Sequence, residues 1–138
     1  MGIEENITPG KILYLYVVLP PDYEYDNKYM VVVCEDPLLL LKINTSGEQT
    51  AMGRKFNERQ FTIKKSIYTF LMYDSYLDCG TVWYGIISKD EAIVQLAEDS
   101  SRIKGELIPD HRNELIRLTG QSRSISTTHK RIIAERCR

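Results

Sequence analysis

The chain has 138 residues, 43% of them apolar and 27% charged, which is enough apolar surface for one compact core. This composition excludes a disordered chain, a collagen and a coiled-coil rod. No run of about 18 apolar residues occurs, so no membrane-spanning helix is expected. The acidic N-terminus lacks the basic start and long apolar stretch of a signal peptide. We therefore expect a single-domain cytoplasmic protein with no membrane partner.

Charge is unevenly distributed along the chain. Residues 100–138 contain 9 Lys and Arg against 4 Asp and Glu, while the remaining residues are net acidic. A basic C-terminal third is compatible with a phosphate-bearing partner. It is equally compatible with a chain that neutralises its own acidic part, and composition does not separate the two interpretations.

Metal and redox sites are not indicated by the sequence. The three cysteines are far apart and form no CxxC pair, and only two histidines are present. A structural zinc site needs about four closely spaced ligands, so we expect no metal and no cofactor. Cys34 and Cys79 are predicted to be buried, reduced thiols in strands. His111 is expected to face solvent from the first turn of a helix.

Short strands are predicted over the first part of the chain, where Ile, Val, Leu and Tyr crowd stretches too short for helices. They cover residues 11–19, 29–34, 38–43, 61–63, 67–72 and 76–83. Residues 20–27 are predicted to form a polar, tyrosine-rich loop. Residues 47–60, which contain two glycines and mixed charges, are predicted to form a long loop of the kind that is often functional.

Helices are predicted after these strands. Ser88 and Glu91 have the spacing of a capping box, which predicts a helix start. Pro109 suits the first turn of a second helix, and Gly120 its end. Residues 129–138 are predicted to be either a short basic helix with Ile132 and Ile133 packed inward or a frayed tail.

Five or six short strands followed by short helices predict a mainly-β (α+β) small barrel of about five to seven antiparallel strands with two or three short, mostly C-terminal helices. The sequence lacks the motifs G-x-G-x-x-G, GxxxxGK[ST], HExxH and G-x-S-x-G. Their absence argues against the common nucleotide-binding, metalloprotease and serine-hydrolase classes.

The order of five segments resembles the PemK/MazF family of toxin ribonucleases. The segments are Pro9–Ile12, Lys28–Val33, Ile43–Ser46, Asp74–Cys79 and Lys104–Leu107. The resemblance covers roughly residues 8–120. It implies an SH3-like barrel over residues 9–120. The residues outside this range are predicted to be a flexible N-terminal tail over residues 1–8 and a basic C-terminal extension over residues 121–138.

The resemblance also implies a function and a site. The expected activity is metal-independent endoribonuclease cleavage of single-stranded RNA by its own 2′-hydroxyl. Lys28, Thr45 and Ser46 match the family's catalytic positions, although Lys28 stands where the family has arginine. The expected RNA-binding residues are Tyr23, Tyr25, Tyr29, Arg54 and Lys55. A homodimer and a cognate antitoxin are the protein partners that the resemblance implies.

An alternative function remains open at this point. Lysine cannot give phosphate the forked contact of arginine, which favours a catalytically silent SH3-like barrel that binds protein or nucleic acid. Such a barrel would be a toxin-derived binding module or an inhibitor of a host enzyme. Lys28 can also be an ordinary strand-edge lysine, and Thr45 and Ser46 ordinary turn residues. Most tyrosines fit strand packing equally well.

Overall fold

The structure is a computed structural model that describes residues 2–20, 23–45 and 59–138. Six strands lie in this part of the chain: β1 (Lys11–Val18), β2 (Tyr25–Glu35), β3 (Leu38–Asn44), β4 (Gln60–Ile63), β5 (Ser75–Tyr84) and β6 (Ile103–Glu106). The α-helices are α1 (Lys89–Glu98), α2 (Pro109–Gln121) and α3 (Thr127–Arg136). Two short 3-10 helices cover Ile3–Asn6 and Ser100–Arg102.

The strands form one antiparallel sheet in the order β4-β5-β3-β2-β1-β6. The sheet curls into a half-barrel, and most of the helical residues follow it in the chain. The prediction of a small mainly-β barrel with short, mostly C-terminal helices is therefore confirmed. No helix within residues 2–20, 23–45 and 59–138 is long and apolar enough to cross a membrane.

Both faces of the sheet are covered by apolar side chains. In β2, Val31 and Val33 belong to one buried cluster while Met30 and Val32 belong to another, as strand alternation requires. The first core joins the sheet to α2 and α3 and includes Ile12, Val31, Leu41, Leu77, Leu115 and Ile133. The second core joins the sheet to α1 and includes Ile7, Leu13, Leu15, Met30, Leu40 and Leu96.

The helix starts match the sequence signals. The Ser88 hydroxyl accepts a 3.0 Å hydrogen bond from the Glu91 backbone N–H, as in a capping box. Pro109 lies in the first turn of α2. Residues 129–138 belong to α3 and its C-terminal end rather than to a frayed tail, and Ile133 is only 1% exposed.

Several segments differ from their sequence-based predictions. Tyr25–Asn27, expected in a loop, belong to β2 because they pair with Val18–Tyr16 of β1. Residues 67–72, expected to be a strand, form turns in which Tyr68 and Leu71 point inward as buried anchors. Residues 3–6 are a 3-10 helix and Ile7 is buried, where a flexible tail over residues 1–8 was expected.

Candidate functional site

A cleft opens where β2 and β3 separate. Their last residue pair is Met30 with Lys42. Beyond this pair, β2 continues beside β1, with Lys28 opposite Leu15, while β3 continues beside β5, with Asn44 opposite Tyr76. The two strands thus diverge toward this end of the sheet, and a cavity of about 250 Å³ lies between them.

The cleft is lined mainly by polar and charged side chains. The lining residues are Tyr14, Asp26, Asn27, Lys28, Tyr29, Lys42, Ile43, Asn44 and Thr45. Among the residues singled out in the sequence, Lys28, Tyr29 and Thr45 line this one cavity. Lys28 and Tyr29 belong to β2, and Thr45 directly follows β3. The two ammonium groups outnumber the single carboxylate, and three hydroxyls and two amides lie among the remaining lining residues, so the cavity suits a polar, anionic ligand.

Lys28 is held by a neighbouring carboxylate. Its Nζ atom lies 3.2 Å from Asp26 Oδ2, and the Lys28 side chain is 33% exposed. The hydrogen bond from Lys28 lowers the pKa of Asp26, and the Asn27 backbone N–H lowers it further. Asp26 is therefore ionised at neutral pH, and it competes with an incoming anion for the Lys28 ammonium.

Lys42 is a cleft residue that the sequence analysis did not single out. It is the one charged residue in the apolar run of β3, and that interruption was the available signal. In the sheet it lies opposite Asp78, whose side chain is buried and accepts the Gly80 backbone N–H at 2.8 Å. Burial raises the pKa of Asp78, while that hydrogen bond and the Lys42 charge oppose the rise.

Asn44 and Thr45 form the β3 side of the cleft. The Asn44 side-chain nitrogen is buried and finds no hydrogen-bond acceptor among the described residues. A buried amide without a partner costs about 1–3 kcal/mol.

Aromatic rings form the opposite wall. Tyr14 and Tyr29 lie with ring centroids 4.5 Å apart, and Phe70 packs behind Tyr29 at 5.3 Å. Burial raises the pKa of Tyr29, so its hydroxyl is protonated at neutral pH. Tyr29 therefore contributes an uncharged hydroxyl group to the lining of the cleft.

Two other residues predicted from the sequence, Tyr23 and Tyr25, do not line the cleft. Tyr23 and Tyr25 are exposed at 67% and 65%, and Tyr25 stacks on Tyr16 instead. Ser46, Arg54 and Lys55 lie outside the described residues. The roles assigned to all of these residues stay predictions.

The part of the chain that the structure describes contains no cluster of three or more His, Cys, Asp or Glu side chains that could hold a metal ion. All three cysteines are free and buried, as predicted for Cys34 and Cys79. Burial raises the pKa of the Cys137 thiol to about 12, so it does not supply a thiolate.

Comparison of the chain with protein-family models gives no match, and comparison with curated proteins gives none either. The resemblance to the PemK/MazF family therefore rests on the order of short segments in the sequence. What it implies about activity and partners stays a prediction.

Proposed function

We propose that this chain is a metal-independent endoribonuclease of single-stranded RNA, with the scissile phosphate bound in the cleft between β2 and β3. The observation that carries the proposal is that Lys28, Lys42 and Thr45 line one cavity. Two ammonium groups and a hydroxyl are donors suited to a phosphodiester that gains negative charge during the reaction.

The proposed reaction needs only the RNA and the cleft residues. The 2′-oxygen of the RNA forms a bond to phosphorus and the bond from phosphorus to the 5′-oxygen breaks, which leaves a 2′,3′-cyclic phosphate and a 5′-hydroxyl. Asp26 accepts the proton of the 2′-hydroxyl, and Lys28 gives a proton to the departing oxygen. The 3.2 Å contact between the two side chains then lets the proton return from Asp26 to Lys28.

The test is cleavage of a fluorescent single-stranded RNA in the presence of EDTA, with the cyclic phosphate product measured. We expect Lys28→Ala and Thr45→Val each to lower kcat/KM about a hundredfold, the usual loss when one transition-state donor is removed. Lys64→Ala removes an exposed lysine from outside the cleft and is the matched control. RNA that stays intact with the wild-type chain, or equal cleavage by Lys28→Ala, would overturn the proposal.

The proposed function implies two protein partners and a cellular location. A second copy of the chain is the expected homodimer partner, and an antitoxin that covers the cleft is the expected inhibitor. RNA in the cytoplasm is the expected substrate. Size-exclusion chromatography with light scattering tests the dimer, and a monomer at micromolar concentration would contradict it.

A second candidate is a barrel that binds RNA without cutting it. The ion pair between Asp26 and Lys28 favours this candidate, because it lowers the pKa of Asp26 and weakens that carboxylate as a base. The two functions separate in one comparison. A silent module binds 2′-O-methyl RNA and ordinary RNA equally and releases no cyclic phosphate from either.

A further inference from the structure

Four tyrosines lie together on one face of the β1–β2 hairpin. Tyr14 pairs with Tyr29, two positions along from the pair of Ile12 with Val31, so all four residues lie on the face of the first core. Tyr16 in β1 and Tyr25 in β2 continue the same face toward the hairpin end, since each is an even number of positions away. We call Tyr14, Tyr16, Tyr25 and Tyr29 the tyrosine stripe.

The tyrosine stripe leads out of the cleft. Its inner pair, Tyr14 and Tyr29, lines the cavity, with ring centroids 4.5 Å apart. Its outer pair, Tyr16 and Tyr25, is stacked at 5.0 Å with an interplanar angle of 21°. Tyr16 and Tyr25 are 43% and 65% exposed, so they present aromatic surface to solvent rather than filling a core.

Arg102 lies between the two tyrosine pairs. Its Nη1 atom reaches across β1 and donates to the Tyr14 carbonyl at 2.8 Å and to Asn27 Oδ1 at 2.7 Å, and Asn27 is the residue opposite Tyr16. The guanidinium carbon lies 6.0 Å from the Tyr14 ring centroid. Lys104 Nζ lies 5.5 Å from the same centroid. Two cations thus accompany the aromatic rings.

These cations are available to an anion from outside the chain. Neither Arg102 nor Lys104 forms an ion pair with a carboxylate of the described residues. The charges of Arg102 and Lys104 lower the pKa of Asp99, but the hydrogen bonds that Asp99 accepts from the Ser101 hydroxyl and backbone N–H lower it more. The positive charges of Arg102 and Lys104 are therefore not neutralised by an ion pair within the described residues, and they can attract a phosphate.

The backbone beneath the stripe is fixed. At Tyr16, β1 extends beyond its pairing with β6, which ends at Leu13. The Gln95 side chain takes the place of a strand there: it accepts the Tyr16 N–H at 2.8 Å and donates to the Tyr16 carbonyl at 3.0 Å. The outer tyrosine pair is therefore held in place without being covered.

We propose that the tyrosine stripe binds the stretch of single-stranded RNA that leaves the cleft. Bases stack on Tyr16 and Tyr25, and the backbone phosphate next to them contacts Arg102 and Lys104. Exposed aromatic rings beside cations are the chemistry that binds single-stranded nucleic acid regardless of sequence. The continuity of the stripe with the cleft favours RNA over a protein partner, and this inference rests on the proposed function for the identity of the strand.

The test is anisotropy titration with a fluorescent 2′-O-methyl oligouridylate of about eight nucleotides, which cannot be cut. We expect Tyr16→Ala and Tyr25→Ala each to raise Kd about fivefold or more, the loss typical of one stacked base. Tyr84→Ala is the matched control, since Tyr84 is 62% exposed but pairs with Leu39 at the other end of β3. An abasic oligomer of equal length should bind the wild-type chain more weakly and be insensitive to both stripe variants.

The charged part of the proposal has its own measurement. Lys104→Ala should reduce the slope of log Kd against log salt by about 0.7, because one phosphate contact to a single strand is lost. An unchanged slope would overturn the assignment of Lys104. Equal Kd values for the wild-type chain and both tyrosine variants, or no saturable binding of the oligomer, would overturn the stripe.

A dinucleoside phosphate separates this inference from the proposed function. It fills only the cleft, so its cleavage by the wild-type chain tests the nuclease alone, whereas Tyr16→Ala and Tyr25→Ala test the stripe through binding of the longer oligomer. A wild-type chain that leaves RNA uncut yet shows the tyrosine dependence of binding would refute the nuclease and support the stripe. RNA cleavage by a chain whose binding does not depend on Tyr16 and Tyr25 would support the nuclease and refute the role of the stripe.

Discussion

His111 is fixed by a hydrogen bond inside the protein rather than facing solvent as expected. Its Nδ1 atom lies 2.7 Å from the hydroxyl of Tyr68, which is only 5% exposed. That hydroxyl accepts the Ile108 backbone N–H at 3.1 Å, so its own proton is free to be donated to His111. When the Tyr68 hydroxyl donates, Nδ1 is the unprotonated nitrogen of the imidazole, and the contact ties the turn before β5 to the start of α2.

This contact predicts a pH dependence of stability. Burial lowers the pKa of folded His111 below its usual 6.5, against the opposing charges of Asp110 and Glu114. Because the folded chain then binds the proton less tightly than the unfolded chain, the contribution is complete above about pH 6.5 and is lost as the pH falls below it. The free energy of unfolding in urea should decrease between about pH 7.5 and pH 5.5 by less in His111→Gln than in the wild-type chain.

The comparison of the two proteins isolates this residue, since every other titrating group is shared. His129 lies in α3 against the Tyr84 ring, and His129→Gln is the matched control. An equal decrease in the wild-type chain and His111→Gln would contradict the prediction.

Individual residues show what the sequence could and could not reveal. Lys28 and Thr45 were singled out because they match the catalytic positions of the PemK/MazF family that the sequence resembles, and both line the cleft. Lys42 and Asn44 were missed, because their access to the cleft depends on where β2 leaves β3, which no local pattern records. The same holds for the contact between Tyr68 and His111, which are 43 positions apart.

At the scale of elements, prediction succeeded where one local signal dominates. Strands β1, β2 and β3 follow from runs of β-branched and apolar residues, and α1 from its capping box. Prediction failed where a distant partner decides. Residues 67–72 have strand composition but lie in turns, and Gly120 lies within α2 rather than after it.

The C-terminal helix α3 is part of the first core rather than an appendage, so the loss of its buried side chain should destabilise the fold. Ile133 is 1% exposed, and Cys137 donates to the Val33 carbonyl at 3.4 Å. Ile133→Ala should lower the free energy of unfolding by about 2–5 kcal/mol, as large-to-small substitutions in cores do. Urea unfolding followed by circular dichroism measures this change.

Arg136→Ala provides the matched control on the same helix. Its guanidinium pairs with Glu35, but the Arg136 side chain is 49% exposed, so its loss should cost no more than about 1 kcal/mol. A cost for Ile133→Ala as small as that for Arg136→Ala would mean that α3 is frayed in solution.

At the scale of the molecule, the sheet has a core on each face, and the cleft lies at the end where the sheet divides. β2 pairs with β1 over residues 25–31 and with β3 over residues 30–35, so within the described residues its N-terminal half pairs only with β1 and the two pairings overlap at Met30 and Val31. The well-packed half fixes the direction of the strands, and the divergent half leaves room for a ligand. The C-terminal half of β2 thus stabilises the sheet, while its N-terminal half lines the candidate site.

A sheet with two cores should still unfold as one unit, because neighbouring residues of one strand serve both. Leu40 belongs to the second core and Leu41 to the first, and they are 1% and 0% exposed. Each substitution to alanine should cost about 2–5 kcal/mol. Trp83 lies opposite Leu40 and packs against the second core, so its fluorescence reports on that face. We expect Leu41→Ala to shift the fluorescence and circular dichroism transitions in urea equally. A fluorescence transition that stays in place while the dichroism transition moves would show that the two cores unfold separately.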